Sequence, residues 1–253
     1  MAQPYSARSR AIEPFHVMAL LARANELQAA GHDVIHLEIG EPDFTTAEPI
    51  VAAGQAALAA GKTRYTAALG LPELREAISG FYDHRYGLSV DPERILVTPG
   101  GSGALLLASS LLVDPGKHWL LADPGYPCNR HFLRLVEGAA QLVPVGPQER
   151  YQLTPDLVAS HWDQDSVGAL VASPANPTGT LLSRDELAAL SASIKARNGH
   201  LVVDEIYHGL TYGTDAASVL EVDDEAFVLN SFSKYFGMTG WRLGWLVAPQ
   251  DAV

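Results

Sequence analysis

Short apolar runs alternate along this chain with longer stretches of helical period, the pattern left in a sequence by a parallel sheet covered on both faces. Seven runs read as strands, at 95–98, 119–122, 141–145, 168–173, 201–204, 227–230 and 244–248. Between them, 73–86 reads as a helix because Leu74, Ala77, Ile78, Phe81 and Tyr82 fall on one stripe. The segment 184–197 opens with Ser183 and Glu186 in capping-box spacing and stops near Gly199, and an earlier helix at 16–30 closes at Gly31. The apolar stretch 104–112 reads as a further helix. The expected fold class is therefore α/β, a mostly parallel seven-stranded sheet with helices on both faces. No repeat, low-complexity tract or long linker interrupts it.

Composition narrows the function. At 253 residues and 47% hydrophobic content the chain can bury a sizeable core. Its 17 basic against 29 acidic residues leave a net charge of −12, which argues against nucleic acid or an anionic membrane as the main partner. No apolar run reaches bilayer length, and the opening MAQPYSARSRAIEPF lacks the apolar core of a signal peptide. The sole cysteine, Cys128, forms no internal disulfide and demands no oxidising compartment, so the expected location is cytoplasmic.

The chemistry concentrates in NSFSKYFGMTGWRLG, 230–244. Lys234 follows an apolar run between small hydroxyl residues, with Arg242 eight positions on. Burial or a cationic neighbour turns a lysine into a carbonyl-reactive amine, and Ser231, Ser233 and Arg242 are suited to hold an anion beside it. That is the layout of a Schiff-base lysine next to the phosphate of pyridoxal phosphate. The same letters fit the S-x-x-K of penicillin-recognising serine enzymes, but the companion S-D-N and K-T-G strings are absent.

Four further segments stand at predicted strand ends. TPGGSG, 98–103, joins a strand to a helix and offers free backbone N–H groups to a phosphate, although taken alone its glycines read first as a simple tight turn. Asp204 ends the run Leu201–Val203, where open α/β sheets place ligands; it suits a pyridinium nitrogen or, alternatively, a helix cap. Tyr207 stands three residues on. Asn176, in the turn-forming ANPTG, can both donate and accept, and Tyr126 in PGYP offers a stacking face or a packed loop aromatic.

Together these segments resemble the class I pyridoxal phosphate aminotransferases, the aspartate aminotransferase-like group of fold type I. The ordered motifs are EIGEPDF at Glu38, RYTAALGLPELREAI at Arg64, TPGGSGA at Thr98, DPGYP at Asp123, SPANPTGT at Ser173, DEIY at Asp204 and SFSKYFGMTGWRLGW at Ser231. The resemblance implies that Lys234 carries the cofactor, that Asp204 pairs with the pyridine nitrogen, and that Tyr207 and Asn176 contact the ring oxygen. It implies that Gly101, Ser102, Ser231 and Arg242 hold the phosphate and that Tyr126 stacks on the ring. Tyr65 would reach the neighbouring subunit's phosphate, implying a homodimer, and Gly40 would border the substrate together with Asn176. No metal is implied. The expected domains are 1–45, an N-terminal arm with part of a small domain, and 46–253, the cofactor-binding large domain, incomplete at its C-terminal end.

The resemblance implies transfer of an amino group from an L-amino acid to a 2-oxo acid. The same motifs serve β-elimination of the C–S lyase type, and a silent cofactor-binding or dimerisation module is a third reading. Family members continue past Val253 into a small domain bearing the arginine that clamps the substrate carboxylate, and no residue here matches it. The chain as given is therefore expected to bind cofactor weakly and to transaminate poorly.

Overall fold

A computed structural model describes residues 5–14, 16–42 and 44–253; Asp43 of the EIGEPDF motif lies outside them. The described residues fall into two compact units that divide between Thr45 and Thr46. The first contains α1 (Ala7–Arg10) and α2 (His16–Ala29). The second carries α3 (Glu48–Ala59), α4 (Pro72–Tyr86), β1 (Ile95–Thr98), α5 (Gly100–Leu112), β2 (His118–Asp123), α6 (Asn129–Leu135) and β3 (Ala139–Pro144). It continues through α7 (Pro155–His161), β4 (Ser166–Ala172), α8 (Arg184–Lys195), β5 (His200–Asp204), β6 (Phe227–Ser231) and β7 (Gly244–Val247).

The seven strands form one sheet in the order β1-β7-β6-β5-β4-β2-β3. All neighbours are parallel except β7, which runs antiparallel to both β1 and β6. Because β1 and β6 flank the one reversed strand, they run the same way as β2 to β5. The carboxyl ends of six strands therefore meet at one sheet edge, and β7 starts there.

Period-two alternation sorts each strand between two cores. Ala169, Val171, Leu201, Val203, Val228, Trp245 and Val247 face a core closed by Ile78 and Tyr82 of α4 and by Leu187, Leu190 and Ile194 of α8. Leu170, Val202, Phe227, Leu229 and Leu246 face the other, closed by Ala104, Leu105 and Ala108 of α5 and Leu133 of α6. Fully burying one such side chain contributes about 1.5–3 kcal/mol, so this two-sided packing dominates the stability of the unit. The capping box on α8 is made: Ser183 Oγ accepts from Glu186 N, and Glu186 Oε2 accepts from Ser183 N at 2.7 Å.

Several boundaries differ from expectation. The third strand begins at Ala139, because residues 139 and 140 pair in register with His118 and Trp119. The helix expected at 104–112 begins at Gly100, so the glycines are its first turn and not a loop before it. Helix α8 stops at Lys195 and α2 at Ala29. Helices α3, α6 and α7 had no clear stripe: α3 reads EPIVAAGQAALA, small or apolar on every face, and the other two are seven residues each.

Candidate active site

Each predicted site residue of the second unit except Tyr65 lies on a segment that leaves or enters the sheet at the common carboxyl edge. At one end is a cup of main chain. Helix α5 begins immediately after β1, so the N–H groups of its first turn, at Gly101 and Ser102, have no carbonyl one turn earlier to bond. A Cβ on Gly101 would lie 3.8 Å from Ser231 Cβ, which sets the helix start against the end of β6. Arg242 closes the cup: its backbone is left-handed at φ 54°, its Nη1 donates to Thr239 O (3.0 Å), and a Cβ on Gly100 would meet its Nη2 at 2.6 Å. Gly100 itself has φ 72°. Gly244 permits the closure, since a Cβ there would stand 2.6 Å from Gly100 C and 2.8 Å from Gly101 N and Asn230 O.

Ser231 is buried, and its Oγ lies 2.8 Å from Ser233 Oγ and accepts from Ser233 N at 3.1 Å. This turn delivers Lys234, which is half-buried, with Nζ 5.9 Å from the centre of the Tyr207 ring. Thr239 Oγ1 donates to Ser233 O (2.8 Å), and Thr46 Oγ1 donates to Gly237 O (2.6 Å), so the loop bearing Lys234 is pinned at two carbonyls.

Asp204 ends β5 and accepts from Ile206 N at 3.0 Å. Burial pushes its carboxyl up to about 6, opposed by that one amide, and no cation offsets the burial among the described residues. Tyr207 Oη accepts from Asn176 Nδ2 at 3.3 Å, which leaves the phenol proton to be donated into the site. Burial raises the Tyr207 phenol above its ordinary value, with the Asp204 charge second. Tyr126 is raised as well, chiefly by burial, then by its Cys128 hydrogen bond and the Tyr207 and Asp204 charges, which puts all three in electrostatic reach. A cavity of about 410 Å³ opens beside Asn176, Tyr207, Leu210 and Tyr212, and one of about 210 Å³ lies on the Tyr126 side of Asn176.

One predicted residue of the second unit is not brought into this cluster. The Tyr65 side chain is fully exposed, at 107% relative accessibility. Gly40 belongs to the first unit. Conversely, Gly100 and Gly244 shape the cup without having been singled out. A glycine opening a strand, as in the run Arg242–Trp245, is a sequence signal for close backbone approach.

A glycine-lined cup with main-chain donors, a half-buried lysine and a buried acid whose burial no cation among the described residues offsets, all on one edge of an open α/β sheet, suit an anionic, ring-shaped cofactor with a basic nitrogen. Pyridoxal phosphate fits: the glycine-lined cradle has main-chain donors for its phosphate, and a protonated ring nitrogen would supply a cation to Asp204.

Comparison with known proteins gives the family. Residues 32–253 match Aminotransferase class I and II, and the chain belongs to it; its members use pyridoxal phosphate. A valine–pyruvate aminotransferase of Mycobacterium tuberculosis is 42% identical over 240 residues, 94% of this chain and 62% of that protein. An aspartate/prephenate aminotransferase of Thermus thermophilus is 35% identical over 98% of this chain and 65% of its own length. Among solved structures, an aminotransferase from M. tuberculosis superposes with a TM-score of 0.94 at 40% identity, covering 99% of this chain and 66% of that one. Aspartate aminotransferase from T. thermophilus with maleate gives 0.94 at 35% identity, with the same coverage of both chains. The chain thus spans 62% of the length of the first of these curated relatives.

Proposed function

We propose that the protein is an aminotransferase that moves an amino group between an L-amino acid and a 2-oxo acid. The observation that carries this reading is the meeting of Lys234, Asp204, the Asn176–Tyr207 pair and the Gly101–Ser102–Ser231–Arg242 cup at one sheet edge in a member of this family. When bound, pyridoxal phosphate supplies an aldehyde for amine exchange and a protonated ring that accepts the electrons of the substrate's Cα–H bond. Asp204 keeps the ring nitrogen protonated through a charge-assisted hydrogen bond. Tyr207 and Asn176 would donate to the ring oxygen, and Tyr126 would offer its ring as a stacking face. Lys234 would hold the cofactor, and its Nζ, once released, would be the chain's own base placed to move the substrate's Cα proton. Positioned acid–base groups of this kind give roughly 10²- to 10⁴-fold acceleration.

The reading includes a homodimer in which Tyr65 reaches the partner subunit's phosphate, supported by the complete exposure of that side chain in the single chain. Gly40 borders the substrate in the same reading. A cytoplasmic location is supported by the single cysteine, half-buried and without a disulfide.

Borohydride reduction of the cofactor-loaded protein followed by peptide mapping tests the assignment. The phosphopyridoxyl group is expected on Lys234, and a label on Lys62, Lys117 or Lys195 instead overturns it.

A further inference from the structure

Asp204 and Tyr207 reach the site from a short turn, 204–208, whose other two polar members are buried away from solvent. Glu205 is 0% exposed and His208 3%. Glu205 Oε1 accepts from Val219 N at 2.9 Å and Ser218 Oγ at 2.9 Å. His208 Nε2 lies 2.9 Å from Ser173 O, and its Nδ1 lies 2.7 Å from Tyr86 Oη and 3.6 Å from Glu205 Oε2. A carbonyl only accepts, so Nε2 carries the proton; Nδ1 then accepts from the Tyr86 hydroxyl. Burial holds the imidazole down at about 4 and the Glu205 carboxyl up at about 8, so both are neutral at pH 7 and this tautomer persists.

The carbonyl that His208 grips is the root of the Asn176 loop. Ser173 is fully buried, its N donates to Asp204 O (3.1 Å), and its Oγ accepts from Leu182 N (2.9 Å) at the far end of the same loop. The loop is cross-braced inside by Ala175 N to Thr180 O (2.9 Å) and Gly179 N to Ala175 O (2.8 Å). His208 is therefore the side chain that, beside the Ser173 N–Asp204 O bond, ties the turn carrying Asp204 and Tyr207 to the loop carrying Asn176. The Asn176–Tyr207 hydrogen bond spans the same two segments on the site side.

We propose that His208 is a positioning residue for the Asn176–Tyr207 pair: its Nε2–H locks the Asn176 loop to the Asp204 turn, with Tyr86 holding the imidazole in the tautomer that can do so. The proposal rests on the aminotransferase reading for its effect at the cofactor ring, but not for its effect on the loop. Without that donor, Ser173 O is buried unpaired, a cost that favours opening of the loop.

Two measurements on the intact protein, wild type against His208→Leu and His208→Gln, test it. Amide hydrogen exchange without cofactor reads the loop. Peptides covering 173–182 should exchange roughly tenfold faster in His208→Leu, the factor carried by about one buried hydrogen bond. They should return toward wild type in His208→Gln, whose amide keeps a donor at similar reach, while α8 stays unchanged. The pH midpoint of the visible absorption of cofactor-bound Lys234 reads the ring. Donors to the ring oxygen stabilise its deprotonated form, so the midpoint should rise by about one pH unit in His208→Leu and recover in His208→Gln. Adding Asn176→Ala to His208→Leu should move it little further. If the leucine variant misfolds, His208→Asn, polar but too short to span to Ser173, takes its place. Unchanged loop exchange overturns the proposal whatever the cofactor does. Faster exchange with an unmoved midpoint overturns it too, since His208 then supports only the fold. Loop exchange that responds to the substitutions while the wild-type protein takes up no cofactor at Lys234 removes the aminotransferase reading and, with it, the role at the ring.

Discussion

Asp204 and Glu205 are adjacent carboxyls with different tasks, set by what each faces. Asp204 opens into the site with one amide for a partner, whereas Glu205 points into the core against Ser218 and Val219. In the proposed reading, Asp204→Asn removes the charge that would sustain a protonated ring while keeping the size. The rate of the first half-reaction, followed by stopped-flow absorbance, should fall at least about tenfold and further than cofactor affinity does. Glu205 leaves its mark on stability. Its folded value is raised from 4.5 to about 8 by burial, so the folded state holds a proton the unfolded chain has already lost, and stability present below pH 4.5 is lost as pH rises toward 8. His208 is lowered from 6.5 to about 4, so its contribution is lost as pH falls through that window, and Asp204 titrates between 3.8 and about 6. Between pH 6.5 and 8, Glu205 is the one of the three still out of step. Wild-type stability should decline there by on the order of 2 kcal/mol, a fall in Tm of about 4–8 °C. Glu205→Gln, which has no proton to lose, should flatten that part of the Tm–pH curve; a curve superposing on wild type contradicts the assignment.

At the scale of elements, the cup depends on three backbone segments meeting with no side chain between them. Gly244 opens β7 where the start of α5 and the end of β6 press on it, and all three nearest atoms are main chain, which cannot swing aside. Gly244→Ala should therefore push α5 off the sheet and weaken pyridoxal phosphate binding at least tenfold in a fluorescence titration. Gly240→Ala, with open space around its Cβ position, should leave it near wild type. This element was only half legible in the chain. The string TPGGSG announced an anion-binding turn, but glycine's poor helix propensity placed the helix start four residues too late. Tertiary contact overrides the propensity: Gly100 is buried, Gly101 abuts Ser231, and the helix begins where the cup needs its amides. The long stripe of 73–86 and the capping box at Ser183, by contrast, are local signals that survive folding unchanged.

At the scale of the whole molecule, a shared active site has a consequence no single chain can show. If Tyr65 completes the partner subunit's phosphate site, Tyr65→Ala and Lys234→Ala each impair their homodimers, one by affinity and one by covalent attachment. Mixed dimers regain one intact site, formed by Lys234 of the first variant and Tyr65 from the second. Unfolding and refolding the two variants together should recover cofactor labelling of Lys234 at wild-type affinity in part of the sample; a mixture no better than its parents refutes sharing.

The sequence by itself determined the class of the fold, where its strands fall along the chain and which residues are candidates for the cofactor site. Periodicity and capping are local, and the motif residues Lys234, Asp204, Tyr207, Asn176 and Arg242 sit at strand ends that the apolar runs already mark. Only the tertiary structure decided the sense of β7, because strand direction is set by how the chain crosses over and leaves no trace in the run itself. It alone separated Gly244, hemmed in by backbone, from Gly240, which is not. It also turned Glu205 and His208 inward: alternate residues of a turn have no fixed period, so which of them face the ligand and which the core emerges only when Ser173, Tyr86 and Ser218 arrive from segments distant in the chain.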